Sequence, residues 1–445
     1  MTIEENLWHA PLDELMHAMR HSGDRRAYVV QTEKGPVASH DFLADVAEAL
    51  AADDRDYDGH EGIFFEIGER SDHLLGAFVH KTVRGQAAGG LRFWPYATVE
   101  DFVRDGLRLS RGMGHKNALA GLWWGGGKGI IARRDDVDHV EPAIRRDIFQ
   151  DYGRFVSGLR GLYITAEDVG TRPEDVAQVF VTTRHSTCVP PTVGGSGNPS
   201  PLTARGVVVA MEAALAHLGR GGVEGKTIAV QGLGNVSTFM VGELLERGAA
   251  RIVGCDLDTT SITRTYLRFE ADKDRLDLRW RPAEDLSILF EPCDVLAPNA
   301  IGGMLRPETI AEIKAPLVCG AANNQLEDPA RDARLLADRG ILYVPDFLAN
   351  RMGIVNCANE QYGVFEGDPA IEAHLDRETP YGVYRRTLEV IERAAASGRT
   401  PAEEAVELAD ELMMEPHPIW GHRGRVIIDR LVADRWQQEQ IDESE

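Results

Sequence analysis

TIAVQGLGNVSTFMVGELLERGAARIVGCD, Thr227 to Asp256, is the stretch whose reading decides the fold. TIAVQ is a short apolar run suited to a buried strand, and Val236, Phe239, Met240 and Leu244 recur at the spacing of one helical face. Gly232, Leu233, Gly234 and Asn235 make the turn between them, and Gly248 can end the helix. RIVGC is the next strand, with Asp256 at its tip. Strand, glycine turn, helix and strand in this order are one unit of a doubly wound parallel sheet. Gly232 allows the tight turn, and Gly234 lets the backbone approach a pyrophosphate seated on the helix N-terminus, where free N–H groups favour negative charge. Leu233, Asn235 and Val236 share that turn and are candidate cofactor contacts. Asp256, 24 residues after Gly232, is placed to hold ribose hydroxyls and to repel a 2′-phosphate, so NAD is the expected cofactor. Ser237 takes the third small-residue position, where Gly or Ala is usual.

Outward from this unit, strand and helix continue to alternate through DVLAP, APLVCG and ILYVPD, which predicts a Rossmann-type nucleotide-binding domain over residues 201–348. GGSGNPSPLT, 194 to 203, precedes it as a loop, and a helix runs on through Leu218. From Asn350 the pattern is helical, so residues 349–445 are expected to return to the first domain. That first domain, an α/β substrate-binding unit over 60–200, reads as a hairpin (IFFEI, LLGAFVH), then a glycine-rich turn, GQAAGGLRFW. Thr98 with Asp101 resembles a capping box, opening a helix whose apolar positions Phe102, Leu109 and Met113 lead to Lys116 at its end. Lys128 follows Gly125, Gly126 and Gly127 directly, and three glycines in a row suggest unusual dihedrals or close approach by another group. A phosphate-binding P-loop is excluded, because Leu122 and Gly129 stand where Gly and Ser or Thr are required. After a helix around Glu141 to Leu159, GLYITAEDVG is a short strand ending at Asp168, either a catalytic group at a cleft or a cap ahead of Pro173. Residues 1–59 read as an N-terminal extension or small subdomain.

At 445 residues the chain exceeds what one core supports, and two domains with a cleft between them are expected. Lys and Arg number 48 against 71 Asp and Glu, a net charge of −23 that argues against nucleic acid and anionic membrane as partners. No basic, apolar leader opens the sequence and no run is long enough to span a bilayer, so a cytoplasmic location is expected. Five scattered cysteines without a C-x-x-C pair read as reduced and buried, and the histidines include no H-E-x-x-H, so no metal is expected.

In order, GGLRFW, GMGHKNALAGLWWGGGK, GLYITAEDVG, SGNPSPLTARGV, IAVQGLGNVS, CDVLAPNAIGG, CGAANNQL and VPDFLANRMGIVN resemble the glutamate, leucine, phenylalanine and valine dehydrogenase family, most nearly its leucine dehydrogenases. The resemblance covers about residues 60 to 365. It implies reversible oxidative deamination of an amino acid to a 2-oxo acid and ammonia, in a homo-oligomer. It further implies that Lys116 grips the substrate α-carboxylate, Lys128 polarises the carbonyl and activates water, and Asp168 moves protons to and from the amine. Asn324, Thr203 and Asn350 are implied near substrate and nicotinamide. Ala88, Gly89, Gly90, Ala166, Ile354 and Cys357 are implied around the substrate. The side-chain positions among them are uncharged, so a hydrophobic substrate, branched or aromatic, is expected. Ala88 stands where a leucine dehydrogenase has a larger aliphatic residue, Ile354 where a valine is expected, and Arg351 with Met352 replaces a small Ala-Gly pair. Two alternatives remain at this point. A glutamate dehydrogenase or NADP-using relative would carry a lysine in place of Ala88. A catalytically silent NAD-binding interaction protein would have lost Lys116, Lys128 or Asp168.

Overall fold

A computed structural model describes residues 6–439. The chain opens with α1 (Leu12–Ser22), the hairpin β1 (Arg26–Thr32) and β2 (Gly35–Ala38), and α2 (Ala44–Ala52). β1 pairs antiparallel with β3 (Gly62–Ile67), so this region is part of the first sheet rather than an extension of it, which corrects the reading of residues 1–59. Residues 1–5 of that reading lie outside the described residues. The strand forms because AYVV alternates: Ala27 and Val29 enter the core on one face of the sheet, Tyr28 and Val30 the core on the other.

β3 and β4 (Leu74–Val79) make the expected hairpin. β5 (Ala87–Trp94), α3 (Val99–Leu119), β6 (Gly125–Ala132), α4 (Pro142–Gly158), β7 (Tyr163–Glu167) and α5 (Pro173–Thr182) follow, and the seven strands lie in the order β2-β1-β3-β4-β6-β5-β7. The expected glycine-rich turn GQAAGGLRFW is thus strand β5, held in parallel between β6 and β7. Its glycines serve packing: a side chain at Gly89 would strike the Gly127 carbonyl, and one at Gly90 would lie 2.7 Å from Asp168 Cβ.

α6 (Ser200–His217) leads into β8 (Thr227–Gln231), α7 (Asn235–Glu246), β9 (Arg251–Asp256), α8 (Thr259–Arg268), β10 (Leu276–Trp280), β11 (Val295–Pro298), α9 (Pro307–Ile310), β12 (Leu317–Val318), α10 (Pro329–Asp338) and β13 (Leu342–Tyr343). All six strands are parallel, in the order β10-β9-β8-β11-β12-β13, the doubly wound arrangement with its switch point beside β8. β10, LDLRW, adds a strand to those expected from the sequence.

α11 (Asp346–Ala349), α12 (Met352–Asn359), α13 (Pro369–Leu375), α14 (Val383–Ser397), α15 (Pro401–Met413) and α16 (Arg423–Ala433) complete the chain. α14 packs on α6, α15 returns to α3, and the fully buried Trp436 meets Phe64 of β3 edge-on at 5.4 Å. No helix among the described residues is long and apolar enough to cross a membrane.

Candidate active site

Side chains alternate between faces along β5, β6 and β7, and the register sets Ala88 beside Gly126 and Ile164, and Gly90 beside Ala166. One face therefore carries Ala88, Gly90 and Arg92, then Gly126 and Lys128, then Ile164 and Ala166, with Asp168 just past the end of β7. Lys128 is 3% exposed, and its Nζ donates to Asp168 Oδ2 at 2.6 Å. Burial pushes the Asp168 carboxyl pKa up, but the charges of Lys128 and Arg92 and the hydrogen bonds from Lys128 and the Val169 N–H outweigh it, leaving the group below its ordinary value. Asp168 is not a helix cap; Arg172 precedes α5.

Gly125, Gly126 and Gly127 lie in regular strand, none of them in the left-handed region, so the unusual-dihedral half of the expectation fails and the close-approach half holds. A side chain at Gly126 would meet the Ser110 carbonyl and, at 2.9 Å, the Gly114 nitrogen of α3; one at Gly127 would meet the Tyr163 ring at 2.8 Å. The bare strand lets α3 lie directly on β6, which brings Lys116, in the last turn of α3, to the same site. Burial lowers the Lys116 pKa; Asp346 opposes this, Lys128 adds to it and Asp168 opposes it.

Lys116 Nζ reaches Asn323 Oδ1 of the second sheet's unit at 3.5 Å, and Asn350 Nδ2 donates to the same oxygen at 2.7 Å. Asn324, the residue singled out from the sequence, has a positive φ of 53° and donates its backbone N–H to Asp346 Oδ2 at 2.8 Å, while Asn323 supplies the side-chain contact. Burial raises the Asp346 carboxyl pKa, against the lowering effect of the Asn324 N–H and of Lys116. Thr203 sits in the first turn of α6, donating to the Pro199 carbonyl at 3.0 Å, close under Gly353. Asp346 and Arg92 escaped the sequence reading; Asp346 had a signal, since it follows the last strand of a parallel sheet on the side where ligands bind.

At the switch point Gly232 has φ +87°, a turn only glycine makes cheaply, and a side chain added at Gly234 would meet nothing within 4 Å. Gly234 precedes α7 without any side-chain cap, so the first-turn N–H groups of Asn235 and Val236 remain available to an anion. Asp256 Oδ2 accepts the Leu233 N–H at 2.6 Å and Oδ1 the Asp258 N–H at 2.8 Å, which fixes the carboxylate beside the turn with lone pairs to spare. These residues fit a dinucleotide.

Ala88, Ala166, Ile354 and Cys357 gather in one buried cluster with Trp124, Ile164, Cys188 and Ala358, and Met113 and Leu122 pack against it. Cys188 and Cys357 form a disulfide, with Cα atoms 5.3 Å apart, which corrects the reading of five reduced cysteines; Cys255, Cys293 and Cys319 are free. The two residues are 169 apart in sequence, and only the return of α12 to the first sheet makes them neighbours. The buried Arg351 donates to the Leu119 carbonyl at the end of α3 and to the Tyr381 carbonyl at 2.7 Å, so the larger residue at this position braces the helix that carries Lys116.

Residues 194–406 match the family described as Glutamate/Leucine/Phenylalanine/Valine dehydrogenase, and residues 74–185 match its dimerisation domain. The leucine dehydrogenase of Bacillus subtilis is 38% identical over 83% of this chain and 97% of its own length. The valine dehydrogenase of Streptomyces coelicolor is 36% identical over 84% of this chain and 97% of its own. The L-tryptophan dehydrogenase structure from Nostoc punctiforme superposes with a TM-score of 0.65 at 31% identity, covering 80% of this chain and 96% of that one.

Proposed function

The chain belongs to the glutamate/leucine/phenylalanine/valine dehydrogenase family, and from that premise we propose that it catalyses the NAD-dependent, reversible oxidative deamination of a hydrophobic L-amino acid to its 2-oxo acid and ammonia. The observation that carries this reading is the buried 2.6 Å contact between Lys128 and Asp168, beside Lys116. The turn from Gly232 to Asn235 and the Asp256 carboxylate would hold NAD, which would supply the hydride acceptor for the substrate Cα.

The protein's own residues anchor the substrate and move protons. Lys116 holds the α-carboxylate; the arriving anion favours the charged ammonium that burial disfavours. Lys128 donates to the oxygen on the reacting carbon, and steers water to the imine carbon in the deaminating direction. Asp168 takes a proton from the substrate amine and returns it to the departing ammonia, work that typically contributes about 10²–10⁴-fold to a rate. Closure of the two sheets' units on each other across Lys116 and Asn323 excludes bulk water from these steps.

Substrate choice follows from the uncharged cluster around Ala88, Ala166, Ile354 and Cys357, where a carboxylate or ammonium would lose hydration without a partner. Assembly into a homo-oligomer through the first sheet's unit accords with the dimerisation-domain match. Steady-state kcat/KM with NAD for leucine, valine, phenylalanine, tryptophan, glutamate and lysine tests the reading: apolar substrates are expected to lead, and glutamate or lysine outperforming all of them overturns it.

A further inference from the structure

Arg92 belongs to none of the roles assigned above, yet it touches Asp168. Its Nε lies 3.3 Å from Asp168 Oδ2, the same oxygen that Lys128 Nζ approaches at 2.6 Å. Behind it, Nη1 donates to Asp105 Oδ2 at 2.9 Å and Oδ1 at 3.1 Å, and the Tyr96 hydroxyl donates to that Oδ2 at 2.7 Å. Asp105 is on α3, the helix that ends at Lys116, so a continuous polar chain runs from Tyr96 through Asp105 and Arg92 to Asp168. The backbone of Asp168 is fixed as well: its N–H donates to Thr171 Oγ1 at 2.9 Å, and the missing side chain of Gly90 lets its Cβ rest on β5 two residues from Arg92.

We propose that Arg92 is a positioning residue for the deamination reaction: braced by Asp105, it holds Asp168 with Oδ2 turned into the Lys128 and Arg92 cations, leaving Oδ1 as the oxygen that exchanges protons with the substrate. The inference rests on the reading of Asp168 as proton carrier. A planar guanidinium suits this place because separate N–H groups can serve two carboxylates at fixed angles, which a lysine ammonium does not reproduce. When Oδ1 takes a proton from the amine nitrogen, an N–H bond breaks and an O–H bond forms. The two cations on Oδ2 oppose that neutralisation, so the proton is readily returned to ammonia.

The charged and titratable groups whose charges bear on Asp168 are Lys128 from β6, Arg92 from β5 and Lys116 from α3, with Glu167 and Tyr163 on the other face of β7 and Tyr96 and Asp105 behind Arg92. A carboxylate held down by cations rises when one is removed, so losing Arg92 moves the acid limb of the rate profile to higher pH. Removing the charge of Asp105 leaves Arg92 less neutralised and moves the limb the opposite way.

The test is kcat and kcat/KM against pH, with the best amino acid and saturating NAD, for wild type, Arg92→Gln, Arg92→Lys and Asp105→Asn. Arg92→Gln is expected to lower kcat by about 10²-fold, the scale of a misplaced reacting group, with little change in KM, and to shift the acid limb upward. Arg92→Lys should restore the limb more than it restores kcat. Asp105→Asn, which frees Arg92 from its brace but keeps the cation, should lower kcat with little change in KM and without an upward shift of the limb, and it alone decides if Arg92→Gln does not fold. An unmoved limb in Arg92→Gln, or an unchanged kcat in Asp105→Asn where that variant decides, or an upward shift in both, overturns the proposal. Asp168→Asn separates the two readings. If it keeps turnover, the proton-carrier role fails; if it is inactive while Arg92→Gln keeps the wild-type profile, only the role of Arg92 fails.

Discussion

In the six-stranded sheet the surface proposed for the cofactor is backbone, at the Gly232 turn and the uncapped start of α7, and side chains enter mainly through Asp256 at the next strand's tip. In the seven-stranded sheet the groups proposed for the chemistry are side chains in mid-strand or just beyond, Lys128 on β6, Arg92 on β5 and Asp168 after β7, brought together by glycines that leave no room for anything else. The contrast shows two uses of one residue. Gly234 keeps space open for a ligand, whereas Gly126, Gly127 and Gly129 have their space filled by the protein itself.

The largest expected effect lies in the seven-stranded sheet. Asp168→Asn and Lys128→Ala should each lower kcat by about 10³-fold while NAD affinity, followed by fluorescence titration, stays unchanged. Weakened NAD binding in either variant would mean that the two sheets do not divide the work in this way. Next comes a paired glycine test. A methyl at Gly129 meets the Tyr152 hydroxyl and lies 2.8 Å from that of Tyr163, so Gly129→Ala should cost about 1–3 kcal/mol and lower Tm. Gly234→Ala meets nothing within 4 Å and should leave Tm unchanged while raising the KM for NAD. Equal losses of Tm would erase the distinction between filled and open glycines. The smallest effect is expected at Asp256→Ser, which removes the charge facing a 2′-phosphate and should narrow the preference for NAD over NADP in kcat/KM. Equal use of both cofactors by the unmutated protein would count against the role given to Asp256.

The same contrast explains what could be read from the residues. The parallel sheet was legible because strand, turn and helix each carry a local period; β10 escaped because its apolar residues alternate with Asp277 and Arg279 instead of forming a continuous run. β5 was misread because glycine is a turn signal locally, and only the approach of Gly127 and Asp168 shows why a strand needs it there. β1 was passed over in the reading of residues 1–59, although AYVV alternates between two cores. The resemblance named Lys116, Lys128 and Asp168, which the fold brings near one another. Arg92 lies within GGLRFW and Asp346 within VPDFLANRMGIVN, yet neither stretch singles them out, since their importance lies in which carboxylate, amide or cation the fold sets against them. Cysteine spacing likewise says nothing about a partner 169 residues away.

That disulfide has a mechanical meaning. Residues 189–356, which contain every strand of the six-stranded sheet, form a closed covalent ring whose neck is the Cys188–Cys357 bond. The two chain segments that carry the nucleotide-binding unit out and back are stapled side by side where they leave the first sheet. A swing of that unit would therefore pivot inside the staple, in the glycine-bearing stretch before α6 and in the turn between α11 and α12, close to the buried cluster that holds Cys357.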